Sequence, residues 1–286
     1  MQDNVDKIAD KYVLKSFYYS DPSKLNTRLE IWKKYGTNKL PINKWIIDSI
    51  VINNNSSFRL LDIGCGTGEL INLIGQKHQN TDIHGLDMSN QMVALSKRNN
   101  PNCNILQGNA EQLPYDSNFF DYVVAVHLLH HIANIEQSIK EMMRVAKPGS
   151  KIFIVTGNYD LNTGLNKIHY ESLAELGFPN FMMNRSAYLR FTRKEATQHL
   201  KRLKIKAKEL KYVNNLCFRE AEPVIDYYKS AMMYRNSSGP TDARIAEEQW
   251  IELERVVTWK IRNTIAKDGY FIIPGEVIGF KILRNE

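Results

Sequence analysis

The stretch Phe58-Arg-Leu-Leu-Asp-Ile-Gly-Cys-Gly-Thr-Gly68, followed by Glu69-Leu-Ile-Asn-Leu-Ile-Gly-Gln-Lys77, decides the fold. Phe58–Ile63 is a short apolar run, the pattern of a buried strand, and Glu69–Lys77 repeats its apolar residues at helical spacing. Glycines at 64, 66 and 68 fill the join. Such a turn lets the backbone approach a ligand closely, and the start of the helix offers N–H groups without helical partners. The spacing is G-x-G-x-G, which departs from the G-x-G-x-x-G of dinucleotide-binding folds. Asp87 ends the next strand-like run, Asp82-Ile-His-Gly-Leu-Asp87, 19 residues after Gly68. An acid in that place can accept bonds from the two hydroxyls of an adenosine ribose.

Outward from this centre, strands are predicted at Cys103–Gln107, Asp121–Val126 and Lys151–Val155. They alternate with a helix opened by Ser89 and ending near Asn99, and with one over Ile135–Ala146 stopped by Lys147-Pro-Gly149. Strand–helix alternation with short joins implies a parallel sheet with helices on both faces. Residues 1–50 read as helices broken at Asp21-Pro22-Ser23, and the polar tract Asn53–Ser57 is a loop. After Thr156 the alternation lapses, and 157–191 shows no clear period. Thr192-Arg-Lys-Glu195 is a capping-box pattern that opens a helix through Leu203, and Lys204–Val213 alternates as a strand. Residues 221–267 read as two helices broken by Ser237-Ser-Gly-Pro240, and Tyr270–Leu283 as one or two strands turning at Pro274-Gly275. Four segments result: N-terminal helices (1–55), a core (56–156), an insert over the substrate site (157–191), and a remainder (192–286) with a helical cap at 221–267.

The chain of 286 residues is 43% hydrophobic and 24% charged, which excludes disorder. Three cysteines without metal-ligand spacing suit a reduced, cytoplasmic protein. The start, Met1-Gln-Asp-Asn, has no apolar signal region, and no stretch is long enough to span a membrane. Lys and Arg number 38 against 31 Asp and Glu, a net +7 that raises the question of a nucleic-acid partner. Much of that excess sits between Arg193 and Lys211, with eight basic residues against two Glu. The stretch is mostly lysine and has no aromatic residue for base stacking, so a solvated strand edge explains it better than a nucleic-acid site.

Leu61–Gly68, Gly85-Leu-Asp-Met-Ser89, Gly108-Asn-Ala-Glu-Gln-Leu-Pro114, Phe119-Phe-Asp-Tyr-Val123, Leu129-His-His131 and Arg144-Val-Ala-Lys-Pro-Gly149 follow one another in a recognisable order. In that order and spacing the chain resembles the class I S-adenosylmethionine-dependent methyltransferases, in particular the small-molecule group that includes the ubiquinone-type enzymes. The resemblance covers residues 58–155. It implies an α/β, Rossmann-like, seven-stranded and mostly parallel sheet with an antiparallel last strand and helical cap segments. The implied cofactor is S-adenosylmethionine, with S-adenosylhomocysteine as product. The implied reaction methylates N or O of a small molecule, such as a natural-product intermediate. Asp62, Gly64, Cys65, Gly66 and Gly68 match the loop around the methionine part, Asp87 the ribose acid, and Met88 the adenine contact. Asn109 and Ala110, with Glu111 beside them, match the adenine edge, and Val126 the end of the fourth strand. The family usually has Asp where this chain has Asn109.

His127, His130 and His131 follow the fourth strand, where the resemblance puts the methyl group and the acceptor. His127 and His131 are candidate bases for a hydroxyl acceptor, and each could equally be a structural histidine that bonds a loop. Their spacing suits no zinc site, so no metal is expected. Arg28 is a candidate for the cofactor carboxylate or a solvated helix arginine. Tyr18, Tyr19, Tyr159, His169, Tyr170 and Tyr228 are candidate acceptor contacts, with interhelical packing as the other reading. A monomer or homodimer with a small-molecule partner is expected, and neither nucleic acid nor membrane. The alternatives are an RNA or protein methyltransferase and, with the less suitable glycine spacing, an NAD(P)-dependent oxidoreductase.

Overall fold

Alternation of period two with period 3.6 builds the larger of two compact units, residues 40–158, 190–212 and 277–286. The computed structural model describes residues 22–50, 57–78, 81–158, 163–178, 190–230 and 247–285. In this unit the strands are β1 (Phe58–Ile63), β2 (Thr81–Asp87), β3 (Asn104–Gln107), β4 (Phe120–Val126), β5 (Ala146–Gly157), β6 (Lys208–Val213) and, from the end of the chain, a strand at Glu276–Leu283. They form one seven-stranded sheet, with the Glu276–Leu283 strand between β5 and β6 and the remaining order β3-β2-β1-β4-β5. β1 runs parallel to β2 and β4, β2 to β3, and β4 to β5. The Glu276–Leu283 strand is antiparallel to β5, with Ile154 opposite Phe280.

Alternate residues of each strand feed different cores. Leu61, Ile63, Val123, Ala125, Ile152 and Ile154 pack with Ile139 and Met142 of the helix Ile135–Val145 and with Leu200 of the helix Arg193–Arg202. Phe58, Leu60, Val124, Phe153 and Val155 pack with Ile46, Ile71 and Val93 of the helices Ile42–Ile50, Glu69–Lys77 and Asn90–Asn99. Helices therefore cover both faces, as the strand–helix alternation requires. β6 is an edge strand and exposes Lys208 and Lys211, the solvated edge read from the sequence.

The smaller unit comprises residues 1–39, 159–189 and 213–276. Its described helices are Pro22–Tyr35, Gly164–Glu175, Ala221–Ser230 and Glu247–Asp268, beside a strand pair of β7 (Leu216–Phe218) and β8 (Phe271–Ile273); the Glu276–Leu283 strand is β9. In chain order the helices are α1 (Pro22–Tyr35), α2 (Ile42–Ile50), α3 (Glu69–Lys77), α4 (Asn90–Asn99), α5 (Ile135–Val145), α6 (Gly164–Glu175), α7 (Arg193–Arg202), α8 (Ala221–Ser230) and α9 (Glu247–Asp268). Leu165, Leu173, Phe218, Val224, Tyr228, Leu253, Val257 and Phe271 make its core.

The structure departs from the sequence expectation in three places. Lys204–Ala207 is not strand: Lys204 takes φ 56° and closes α7, its N–H and that of Ile205 bonding the carbonyls of Lys201 and Leu200. α6 lies in the stretch read as aperiodic, because His169 and Ser172 occupy buried positions that apolar residues would have marked. β5 starts at Ala146, paired with Phe120 before a register shift, so Lys147-Pro-Gly149 ends α5 within the strand's first residues. The units also cut across the four segments, since 190–212 and 277–286 return to the sheet. Among the described residues no helix is long and apolar enough to cross a membrane.

Candidate functional site

At the carboxyl end of β1 the chain turns through Gly64, Gly66 and Gly68 with φ of 74°, 54° and 79°. These left-handed values suit glycine, since a side chain there strains the backbone. The N–H groups of Gly64 and Cys65 both reach the carbonyl of Leu86, at 2.6 and 3.1 Å, which ties the turn to β2. A Cβ on Gly68 would lie 2.3 Å from Asn100 Nδ2 and 2.4 Å from Ser96 Oγ, so α4 closes off that side. A Cβ on Gly66 would meet nothing within 4 Å. The turn is thus closed on one flank and open at Gly66.

Asp87 stands at the end of β2 across from this turn. Its Oδ2 accepts the Gly66 N–H at 3.0 Å and its Oδ1 the Ser89 N–H at 2.8 Å. Each oxygen keeps acceptor capacity for a ligand hydroxyl. Burial raises the Asp87 pKa, and the N–H bonds oppose the shift. Asp62 is buried, and desolvation with the nearby Asp87 charge pushes its pKa up to about 8. Cys65 is buried with its thiol against Ser96 Oγ at 3.9 Å, and burial raises its pKa beyond reactivity at neutral pH. Met88 follows Asp87, its carbonyl accepting from Gln107 Nε2 at 3.0 Å.

Gly108 N–H bonds the Asp87 carbonyl at 3.0 Å, which brings the Asn109–Glu111 turn beside the same strand end. Asn109 Oδ1 accepts the Glu111 N–H at 3.2 Å, and Ala110 is buried. Glu111 uses one oxygen, Oε1, to accept the N–H groups of Ala133 and Asn134 at 3.1 and 3.0 Å. Its carboxylate therefore anchors the approach to α5. Farther along, Arg144 binds Glu141 and donates to the carbonyls of Leu113 and Tyr115, fastening the loop before β4.

Val126 ends β4, and His127 follows with φ 51°, its N–H held by the Val155 carbonyl at 2.9 Å. His127 Nδ1 is buried and bonds no group among the described residues. Burial lowers its pKa to about 4; burial first, then Arg190 and His127, lowers that of His131 to about 4 as well. His130, with its ring centroid 3.9 Å from that of His131, is buried more deeply. These imidazoles are neutral at physiological pH, able to accept a proton and without a charge of their own.

The larger unit thus brings together Asp62, Gly64–Gly68, Asp87, Met88, Asn109–Glu111, Val126, His127 and His131. Arg28, His169, Tyr170 and Tyr228 belong to the smaller one. There Arg28 Nη1 bonds the Ser230 carbonyl at 2.9 Å, and buried His169 Nδ1 lies 2.8 Å from Tyr228 Oη. Tyr18, Tyr19 and Tyr159 lie outside the described residues. Sequence reasoning missed Arg190 beside the histidine turn, and no period around it gave a signal.

Residues 61–154 match the family model of the methyltransferase domain. Over 100 residues the chain is 37% identical to the demethylmenaquinone methyltransferase of Bacillus mycoides, covering 33% of this chain and 42% of that protein. Its likeness to the enzyme of the same name from Chlorobaculum tepidum is 31% over 111 residues, covering 39% and 46%. The chain spans less than half the length of these relatives. Among solved structures, the YcgJ protein of Bacillus subtilis superposes with a TM-score of 0.54 at 18% identity, covering 85% of this chain and 98% of that one. Haemonchus contortus phosphoethanolamine N-methyltransferase 2, solved with S-adenosyl-L-methionine, gives 0.57 at 15%, covering 96% and 60%. Those two likenesses concern the fold. With the strand order, the glycine turn and the acid at the end of β2, the match shows residues 61–154 to be similar to a methyltransferase domain.

Proposed function

We propose that this chain is an S-adenosylmethionine-dependent methyltransferase acting on N or O of a small molecule. The observation that carries the reading is the pairing of an open Gly66 with Asp87, whose two oxygens are oriented by backbone N–H groups and can still accept from hydroxyls. Those residues fit the cofactor: the turn leaves room where a side chain would intrude, and the acid suits a ribose. Bound there, S-adenosylmethionine supplies a methyl group on a sulfonium for an in-line displacement, which needs alignment above all. Asp87 would hold the ribose, and the Gly64–Gly68 backbone would border the methionine part. Asn109 Oδ1, which already accepts the Glu111 N–H, would offer its second lone pair to the adenine amine, more weakly than an Asp would. His127 and His131, held neutral by burial, would set no positive charge against a bound sulfonium, and the same burial weakens both as bases toward a hydroxyl acceptor. The names of the relatives, built on demethylmenaquinone, support a small organic acceptor.

The test is a thermal shift with S-adenosylhomocysteine, NADH and a short RNA in turn. Stabilisation by S-adenosylhomocysteine alone is expected. Stabilisation by NADH alone would overturn the reading, and strong salt-sensitive RNA binding would replace the small-molecule acceptor with RNA. In calorimetry Asn109→Asp tightens S-adenosylhomocysteine binding. Loss of the activity–pH response in His127→Ala or His131→Ala identifies the base, and an unchanged profile in both removes them from that role.

A further inference from the structure

One side of α9 belongs to a core and the other carries a pattern of its own. Trp250, Leu253, Val257 and Ile261 turn into the core of the smaller unit. On the opposite side Glu248, Ile251, Arg255, Trp259 and Arg262 recur every three or four residues, which aligns them in one stripe along the helix. Ile251 and Trp259 are 61% and 62% exposed, the two most exposed large apolar side chains among the described residues. A lone apolar residue at a surface needs no explanation, whereas two on one line, the larger an indole, mark a contact surface. The charges are sorted along the same line, with Glu248 and Glu252 before its midpoint and Arg262 after it. Arg255, at the midpoint, grips Glu252 through Nε and Nη2 at 2.8 and 2.6 Å.

We propose that this stripe is the contact surface for a second copy of the chain, with α9 lying antiparallel to its mate across a two-fold axis at Arg255. In that register Ile251 meets Trp259 of the second copy, and Glu248 meets Arg262 of the second copy. Each contact occurs twice, as a two-fold interface requires. Parallel pairing sets Glu248 against Glu248 and Arg262 against Arg262, so the order of the charges selects the antiparallel arrangement. Glu248 and Glu252 also repel an anionic lipid surface or a nucleic-acid backbone, which leaves a second copy as the partner that fits. Arg262 is accessible to a further acid: its Nη2 lies 3.4 Å from Glu222 Oε1, with the two side chains 60% and 70% exposed. The size of the contact sets its strength. Glu248 to Arg262 covers about 21 Å of helix, and a strip about 10 Å wide along it occupies on the order of 200 Å² per copy. Standard interfaces cover about 800 Å² per partner, so this dimer forms at high protein concentration and separates on dilution. The pairing is independent of what the glycine turn binds.

The full chain, carrying Cys103→Ala and Cys217→Ser, receives one new cysteine at a time through Ile251→Cys, Arg255→Cys or Trp259→Cys, all on the exposed side of the helix. Each protein is oxidised with diamide at near-millimolar concentration. The Arg255→Cys protein crosslinks to itself, because that site lies on the axis. Cysteines at 251 or at 259 lie about 12 Å along the helix from their mates, so each alone crosslinks about tenfold less or weaker still, while a mixture of those two proteins crosslinks readily. Equal crosslinking at every site, which parallel pairing or chance collision gives, or crosslinking at none would overturn the inference. Sedimentation equilibrium of the unaltered protein shows monomer and dimer in exchange. Trp259→Asp weakens the association about tenfold or more, Glu248→Arg weakens it several-fold, and Glu248→Arg with Arg262→Glu restores it. An unaltered protein that stays monomeric to near-millimolar concentration, or a Trp259→Asp protein that associates as tightly, overturns the inference as well. Binding to phosphatidylglycerol vesicles or to a short RNA that Trp259→Asp abolishes would assign the stripe to that partner instead.

Discussion

Asp62→Asn isolates the buried carboxyl beneath the glycine turn. The folded protein holds this acid up to about 8, against 3.8 for an exposed one, because burial and the Asp87 charge both disfavour ionisation. Between those values the folded chain keeps a proton that the unfolded chain has released. Stability from this group is therefore complete below about 4 and is lost as pH rises to about 8, at ~1.4 kcal/mol per pH unit. From pH 5 to pH 8 the loss integrates to about 3–4 kcal/mol, the last part of that range being flattened by the titration itself. Asn is neutral throughout and nearly the shape of the protonated acid, so the variant lacks this slope. Urea unfolding of both proteins at pH 5, 6, 7 and 8, without ligand, measures the difference. It should move in favour of the variant by several kcal/mol as pH rises. Parallel curves would show that Asp62 titrates alike in the folded and unfolded chain, and a movement in favour of the native protein would show it ionised when folded; either refutes the reasoning.

Gly66→Ala should cost about 1–2 kcal/mol for its left-handed backbone and weaken S-adenosylhomocysteine binding, since its methyl enters the open side. Gly68→Ala should cost clearly more in a thermal melt, because its Cβ also collides with Asn100 and Ser96. Tyr228→Phe removes a hydroxyl 2.8 Å from buried His169 Nδ1 and should lower stability by about 1–3 kcal/mol in denaturant unfolding. Arg144→Ala breaks the bonds to Glu141, Leu113 and Tyr115, and should cost about 2 kcal/mol with faster hydrogen exchange in residues 113–117.

The centre of the sheet was legible because β1, β4 and β5 carry buried apolar residues on both faces and are punctuated by glycine, proline or a cap. Phe58–Ile63 and the Ser89 cap, whose side chain accepts the Met92 N–H, stand where the pattern puts them. What escaped had weak or misleading local marks. α6 buries His169 and Ser172, so its apolar period is broken. Lys204 adopts a left-handed cap that glycine ordinarily signals, and β7 is only three residues long. In the site, the glycine turn and Asp87 could be found because a ligand-facing backbone restricts residue choice. Glu111 could not be understood that way: its N–H acceptor role depends on Ala133 and Asn134, which only the folded chain brings near. Arg190 gave no signal for the same reason.

β9 lies between β5 and β6, yet it is synthesised after both. While residues 214–275 are still being added, β6 has no neighbour on either side, and β5 presents one bare edge to the cell. A ribosome-bound chain therefore carries two incomplete strand edges until residues 276–283 clear the exit tunnel. During that interval the lysines of β6 act as a guard for the nascent chain, keeping it from joining other emerging strands before its own partner arrives.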